Sequence, residues 1–281
     1  MTDTAGVALV TGASHGIGSY IARSLAGAGY RLVLTGRSAA ELDSLAGELT
    51  RQGTAAVALA ADLTDGAGLT ALAEAAEREF GAVDVIVNNA GGDPQREFDA
   101  MSWAENRAII ELNCIAPMRL THLLLPGMLK RGRGHIVNIS SIAGRVSFPY
   151  TEAYAAAKDG LIGFTRVLRN DYRGRGVSAS AVVLGAIRDA GQGQRTADEL
   201  GQKMPALGTS PARAVGAAVL DAIRRDRAEI VVMPGPGRVL KALLDLFPSL
   251  GPALNRAAGA NATMRRVIEL RSSAGPPVTR L

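Results

Sequence analysis

Short apolar runs recur along the chain at residues 7–11, 31–35, 55–60, 84–88, 134–140, 177–183 and 229–233, separated by stretches of helical length. Runs this short, and apolar almost throughout rather than alternating, read as strands buried on both faces. Strand–helix alternation of this kind predicts an α/β fold: one doubly wound parallel sheet of about seven strands with helices on both faces. The alternation stops near residue 237. Beyond it, Leu240, Leu243, Leu244 and Phe247, then Leu254, and later Met264, Val267 and Ile268 recur at helical spacing. Pro248 and Gly251-Pro252 break this stretch into at least two segments. The expected division is therefore a sheet domain over 1–237 and a helical C-terminal extension over 238–281.

The first predicted strand runs into Thr11-Gly12-Ala13-Ser14-His15-Gly16-Ile17-Gly18, followed by a helix-compatible stretch, 19–28. Glycines there allow a tight turn and close backbone approach. The helix N-terminus offers unpaired N–H groups and positive dipole to a pyrophosphate. The next strand, 31–35, completes a βαβ context that separates a dinucleotide site from a plain strand–helix connection. Further on, Tyr154 and Lys158 lie one helical turn apart, which places a phenol and an ammonium on one helix face. A cation beside a phenol favours the phenolate, and general acid–base chemistry needs a phenol drawn toward the working pH.

These motifs resemble the short-chain dehydrogenase/reductase family, over residues 5 to about 235. Four signatures stand in the family's order: Thr11-Gly12-x-x-x-Gly16-x-Gly18, Asn88-Asn89-Ala90-Gly91, Ser141, and Tyr154-x-x-x-Lys158. Asn113 matches the family's fourth catalytic residue. The resemblance implies hydride transfer between a nicotinamide dinucleotide and a small carbonyl or alcohol, with Asn113, Ser141, Tyr154 and Lys158 as the catalytic set. Tyr154 then exchanges the proton and Ser141 holds the reacting oxygen. Lys158 tunes the phenol and binds the nicotinamide ribose, and Asn113 holds a relay water or repairs a kinked helix backbone. Ser140 competes with Ser141 on everything but spacing. The expected cofactor contacts are Gly12, Ser14, His15, Gly16, Ile17, Gly18, Arg37, Asp62, Leu63, Asn89, Ala90, Gly91, Tyr154, Lys158, Gly185 and Ile187. Asp62 also reads as a helix-capping aspartate.

Cofactor choice turns on Gly36-Arg37 after the second strand. A carboxylate here usually binds the ribose 2′-hydroxyl of NAD. Glycine in its place removes repulsion of a 2′-phosphate, and a guanidinium can pair with one. His15 adds a second donor, so NADP(H) is the expected cofactor, as in the NADP-preferring members the chain resembles. Leu184 and Asp189 depart from the family's usual proline and threonine, and an acid beside a pyrophosphate needs Arg188 or another cation to offset it. The segment 190–208 is the family's substrate loop; it is polar here, with Leu200, Met204 and Leu207 as its main large apolar residues.

Composition adds three bounds. The single cysteine, Cys114, excludes an intramolecular disulfide and fits a reducing, cytoplasmic setting. Three scattered histidines give no metal-ligand set, so no metal is expected. The start, Met1-Thr2-Asp3-Thr4, lacks a signal-peptide pattern, and no apolar run reaches about 18 residues. The net charge of +5 lies wholly in 238–281, where seven basic residues face Asp245 and Glu269. That makes the charge a property of the extension and argues against a nucleic-acid partner. The extension itself reads as a helix docked on its own domain or a sister subunit, as a lid over the substrate, or, less in keeping with the pattern, as a membrane-surface segment. The resemblance implies a homodimer or homotetramer. The competing functional reading is a catalytically weak dinucleotide-binding protein with a regulatory or structural role, favoured by Leu184 and Asp189.

Overall fold

A computed structural model of the protein describes residues 5–273; Met1–Thr4 and residues 274–281 with Arg280 lie outside the described residues. The chain runs β1 (Val7–Thr11), α1 (Ile17–Gly27), β2 (Arg31–Gly36), α2 (Ala39–Arg51), β3 (Ala56–Ala60), α3 (Gly66–Phe80) and β4 (Val85–Asn88). It continues through α4 (Trp103–Ile110), α5 (Ala116–Arg131), β5 (Gly134–Ser141), a short α6 (Ala143–Val146), α7 (Glu152–Tyr172) and β6 (Val177–Leu184). Last come β7 (Ile187–Arg188), α8 (Gly191–Glu199), β8 (Ser210–Pro211), α9 (Arg213–Arg224), β9 (Glu229–Val232), α10 (Gly237–Leu246), α11 (Leu250–Ala257) and α12 (Ala260–Ser273).

Seven strands form one parallel sheet in the order β3-β2-β1-β4-β5-β6-β9. Each apolar run sends alternate side chains to opposite faces. Ala8, Val10, Leu32 and Leu34 pack under α1, α2 and α9, whereas Val7, Leu9, Val33 and Ile86 pack under α3 and α5. Burial on both faces is why these runs are continuously apolar. The order reverses between β1 and β4, so the loops leaving their carboxyl ends diverge and open a crevice, where such sheets bind ligands.

Trp103–Arg131 is continuous helix, long and apolar enough by composition to cross a membrane. Here Ala116, Leu120, Leu124 and Met128 cover one face of the sheet. A π turn, Glu111–Ile115, interrupts this helix at Asn113. Helix α3 starts at Asp65, whose carboxylate accepts from Ala67 N and Gly68 N, so the helix-capping role considered for Asp62 belongs to Asp65.

The described part of the extension, up to Ser273, folds as three helices against the sheet domain. Leu244 is 2 % exposed and meets Ile142, Ile162, Ala181 and Val183, with Leu240 beside it; Met264 and Val267 are also buried. Leu243, Phe247 and Leu254 stay exposed, against the expectation that the whole stripe docks. The buried side of α10 is the 240/244 side, which faces α6 and β9, and this turns 243 and 247 outward. Lys241 sits buried on that face between Glu229 and Asp245.

Candidate active site

The crevice begins with the turn from β1 to α1. Gly12 and Gly16 have φ of 64° and 62°, a region that favours glycine. A Cβ on Gly18 would lie 2.0 Å from Gly12 O, so only glycine lets α1 approach β1 this closely. No side chain caps the N-terminus of α1, whose first N–H groups face the turn. Ser14 and His15 stand at its lip, with Ser14 Oγ 2.9 Å from His15 Nδ1. A Cβ on Gly36 would meet Ser14 Oγ at 3.3 Å, so a larger residue there would crowd this lip. Arg37, exposed beside it, helps hold the Asp62 carboxyl below its usual range, after the hydrogen bonds Asp62 accepts from Thr64. Glycine turn and uncapped helix start fit the pyrophosphate of a dinucleotide.

Asn89 closes the opposite side. Its Nδ2 donates to Thr11 O at 2.9 Å and Gly12 O at 3.3 Å, while Thr11 Oγ1 accepts from Asn89 N and Ala90 N. These bonds clamp the β4 turn to the glycine turn across the switch point. A Cβ on Gly91 would lie 2.5 Å from Asn113 Oδ1 and 3.1 Å from Lys158 Nζ, which brings the Asn-Asn-Ala-Gly turn against both side chains. Leu63 is buried in the core beneath, and Ile187 packs its side chain under α1 and α9. Gly185 sits tight against Met233.

Asn113 occupies the π turn. Its Nδ2 donates to Ile109 O and to Gly92 O, each at 2.8 Å, and its Oδ1 accepts from Gly92 N at 3.2 Å. It therefore repairs the interrupted helix ladder and pins the β4 loop, the structural role expected of it. Ser140 and Ser141 divide cleanly. Ser140 Oγ donates to Lys158 O within the core, whereas Ser141 Oγ accepts from Ala143 N at 3.1 Å and hydrogen-bonds the Tyr154 hydroxyl. Lys158, 4 % exposed, donates to Ile139 O at 3.0 Å, with its Nζ 5.6 Å from the centre of the Tyr154 ring.

The electrostatics correct one expectation. Burial pushes the Tyr154 phenol up to about 12; the Ser141 hydrogen bond opposes this and Asp93 adds to it. Burial also pulls the Lys158 ammonium down to about 8. Desolvation thus dominates the phenol, and Tyr154 holds its proton at neutral pH.

Asp189, at φ 73°, lies with its carboxylate 4.0 Å from Arg188 Nε, a loose pairing. Arg188 spends its Nη1 on Thr209 O at 2.7 Å instead. The expected compensation of Asp189 by Arg188 is thereby weak. The substrate loop is not featureless, since it carries α8. Two segments that carried no motif also enter the site. Gln192 and Thr196 on α8 donate to Asp93 O and Gln95 Oε1, and Arg271 of α12 bonds Pro94 O, Glu199 and Thr196. On the far side, Asn255 of α11 donates to Val146 O and Ser147 O. The extension thus stands against both walls of the cleft beside Tyr154.

Residues 6–200 match the family model described as short chain dehydrogenase. The chain is 36 % identical over 250 residues to the ketoacyl reductase HetN of a Nostoc species, covering 89 % of this chain and 85 % of that protein. It is 36 % identical over 181 residues to the 3-oxoacyl-[acyl-carrier-protein] reductase FabG of Escherichia coli, covering 64 % and 73 %. A metagenomic short-chain oxidoreductase solved in complex with NADP superposes with a TM-score of 0.71 at 32 % identity, over 83 % of this chain and 98 % of that one. A short-chain dehydrogenase from Streptomyces avermitilis gives a TM-score of 0.73 at 29 % identity, over 93 % and 98 %. By sequence, sheet order and crevice alike, this chain belongs to the short-chain dehydrogenase/reductase family.

Proposed function

We propose that the protein is an NADPH-dependent reductase of ketones or aldehydes, working as an alcohol dehydrogenase in reverse. The observation that carries this reading is the meeting of Ser141, Tyr154 and Lys158 beside the glycine turn. The dinucleotide, when bound, supplies or accepts the hydride. Tyr154 donates its phenolic proton to the carbonyl oxygen, and Ser141 donates a hydrogen bond to the same oxygen and holds it in line. The Lys158 ammonium offsets negative charge as the phenol gives up its proton, and the family resemblance gives it a ribose hydroxyl to bind as well. A phenol that keeps its proton at neutral pH suits the reductive direction. Relatives named as ketoacyl reductases favour a ketone substrate.

Gly36, Arg37 and His15 support NADPH over NADH. Arg37→Asp should reverse that preference, since loss of one charge-assisted contact costs roughly 1.5–3 kcal/mol before repulsion of the 2′-phosphate is added. Calorimetric titration with both cofactors measures it, and equal affinity of the unaltered protein for the two refutes the assignment. For catalysis, NADPH oxidation is followed against a panel of ketones, aldehydes and ketoacyl thioesters. Tyr154→Phe should lower turnover on any accepted substrate by at least ~1000-fold while NADPH still binds. Near-normal turnover by that variant would end the reading. Ile115, Met118 and Val167, exposed large apolar residues on the helical stretches around Asn113 and Tyr154, favour a homodimer or homotetramer, which light scattering tests. A cytoplasmic setting accords with the single, buried thiol of Cys114.

A further inference from the structure

Two backbone segments leave the catalytic side chains and form the sides of the cleft. Residues 142–151 join Ser141 to Tyr154, and residues 92–97 follow Gly91, which lies against the Asn113 and Lys158 side chains. The extension holds both. On the first side, α11 is pressed onto the end of α6: a Cβ on Gly251 would lie 2.9 Å from Arg145 O. Asn255 Nδ2 donates there to Val146 O and, at 2.9 Å, to Ser147 O.

On the second side, one guanidinium gathers three acceptors. Arg271 Nε donates to Glu199 Oε2 at 2.8 Å, Nη1 to Pro94 O at 2.5 Å and Nη2 to Thr196 Oγ1 at 3.4 Å. Thr196 passes the contact on by donating to Gln95 Oε1 at 3.2 Å, and Gln192 Nε2 donates to Asp93 O at 3.1 Å. Helix α8 is thus fastened to the 92–97 loop at two points, with Arg271 over the joint. An ion pair to the half-exposed Glu199 would contribute little by itself, but the planar fork also fixes its direction on Pro94 O and Thr196. Between the two anchors, α12 packs on α11, and about 16 Å of helix separates Ala260 from Arg271. Met264, Val267 and Arg271 recur at i, i+3 and i+7, so the buried face of α12 is the one that carries the guanidinium.

We propose that the extension is a brace across the mouth of the substrate cleft, with Arg271 as its positioning residue, and that it selects compact carbonyl compounds over bulky ones. The brace holds the 142–151 side and the α8 side at one separation. A carbonyl compound with small groups on the reacting carbon passes between them. A bulky one must first break the Arg271 contacts. The substrate class rests on the reductase reading, whereas the brace itself is tested without substrate.

Arg271→Ala frees one end of the brace and Asn255→Ala the other. Hydrogen–deuterium exchange of the protein without ligand should speed by at least about threefold in α8 and 92–97 for Arg271→Ala, and in 143–148 for Asn255→Ala. Arg266→Ala, at an exposed site on α12, should leave both regions at the parent rate. NADPH oxidation with a methyl ketone and its phenyl counterpart gives the second readout. Either brace variant should raise the bulky-to-compact ratio of kcat/KM by at least about fivefold, through a lower KM for the bulky ketone, with kcat for the compact one unchanged. Should Arg271→Ala not fold, Asn255→Ala alone carries the test. Exchange that stays at the parent rate in the freed region, or a size ratio that does not move, overturns the proposal. A parent protein that oxidises NADPH with no carbonyl compound overturns the reductase reading instead, and exchange still decides the brace.

Discussion

Replacing Gly18 with alanine tests the cradle most directly, because the structure fixes what the added methyl meets. It would lie 2.0 Å from Gly12 O, 2.7 Å from Gly12 C and 2.8 Å from Asn89 Nδ2. Non-bonded carbon contacts settle at about 3.5–4.0 Å, so α1 and the glycine turn must separate by more than about 1 Å. Both Asn89 bonds to the turn lie in the path of that shift, and each contributes about 0.5–1.5 kcal/mol net. Overpacking adds about 1–3 kcal/mol, for a total near 2–6 kcal/mol and a fall in Tm of roughly 4–24 °C. The receding N-terminus of α1 should also weaken NADPH binding at least about tenfold, or 1.4 kcal/mol. Circular dichroism melting and calorimetric titration read the two effects. Gly27→Ala is the internal control: a Cβ there meets nothing within 4 Å, and the helix should gain about 0.4–1 kcal/mol. A Gly18→Ala protein that melts within about 2 °C of the parent and binds NADPH as tightly would refute this account of the turn.

Two further outcomes concern stability. Leu244→Ala should cost about 2–5 kcal/mol by denaturant unfolding, whereas Phe247→Ala, at an exposed site on the same helix, should stay within about 0.5 kcal/mol. Equal effects would mean that α10 docks by another face. His135 is buried, and burial pulls it down to about 4; Ser180 spends its proton on Arg227 O, so His135 Nε2 is the donor to Ser180 Oγ. The unfolded chain binds this proton at its ordinary pH near 6.5, so the stability from a neutral His135 is full above that pH. It is lost as pH falls toward 4, by about 3 kcal/mol in all, and His135→Asn should flatten that slope in unfolding curves taken across the range.

The sheet was legible because its central strands are buried on both faces, which writes them into the chain as unbroken apolar runs such as Val7–Val10. Strands β7 and β8, two residues each, are too short for any periodicity to register. Glycine turns and the Tyr154–Lys158 spacing were readable because their geometry is local. Asp93, Gln192 and Arg271 were not, since they meet through a loop, a helix and the extension that lie far apart in sequence. The apolar stripe of the extension signalled a helix, but the choice of docking face belongs to Ile142, Ile162 and Val183 on the other side of the contact. Likewise, the placing of Lys158 beside Tyr154 followed from spacing alone, whereas the burial that raises the phenol comes from the packed structure.

The π turn at Glu111–Ile115 also sets how this stretch tolerates changes in length. Each residue of a regular helix turns the chain by about 100°, so a single deletion or insertion rotates everything on one side of it against everything on the other. Before the turn, Ile109 is committed to Met101 and Ala153; after it, Leu120, Leu124 and Met128 are committed to the sheet. With both ends of the long helix locked in phase, the five-residue turn acts as a fixed offset between two cores, and Asn113 fills the gap that the offset creates. Removing one residue there would restore a regular helix and misalign one of the cores, carrying the Gly91-Gly92 loop with it. Surface loops such as 52–55 can gain or lose a residue without that penalty. This helix cannot change its count without moving one core against the other.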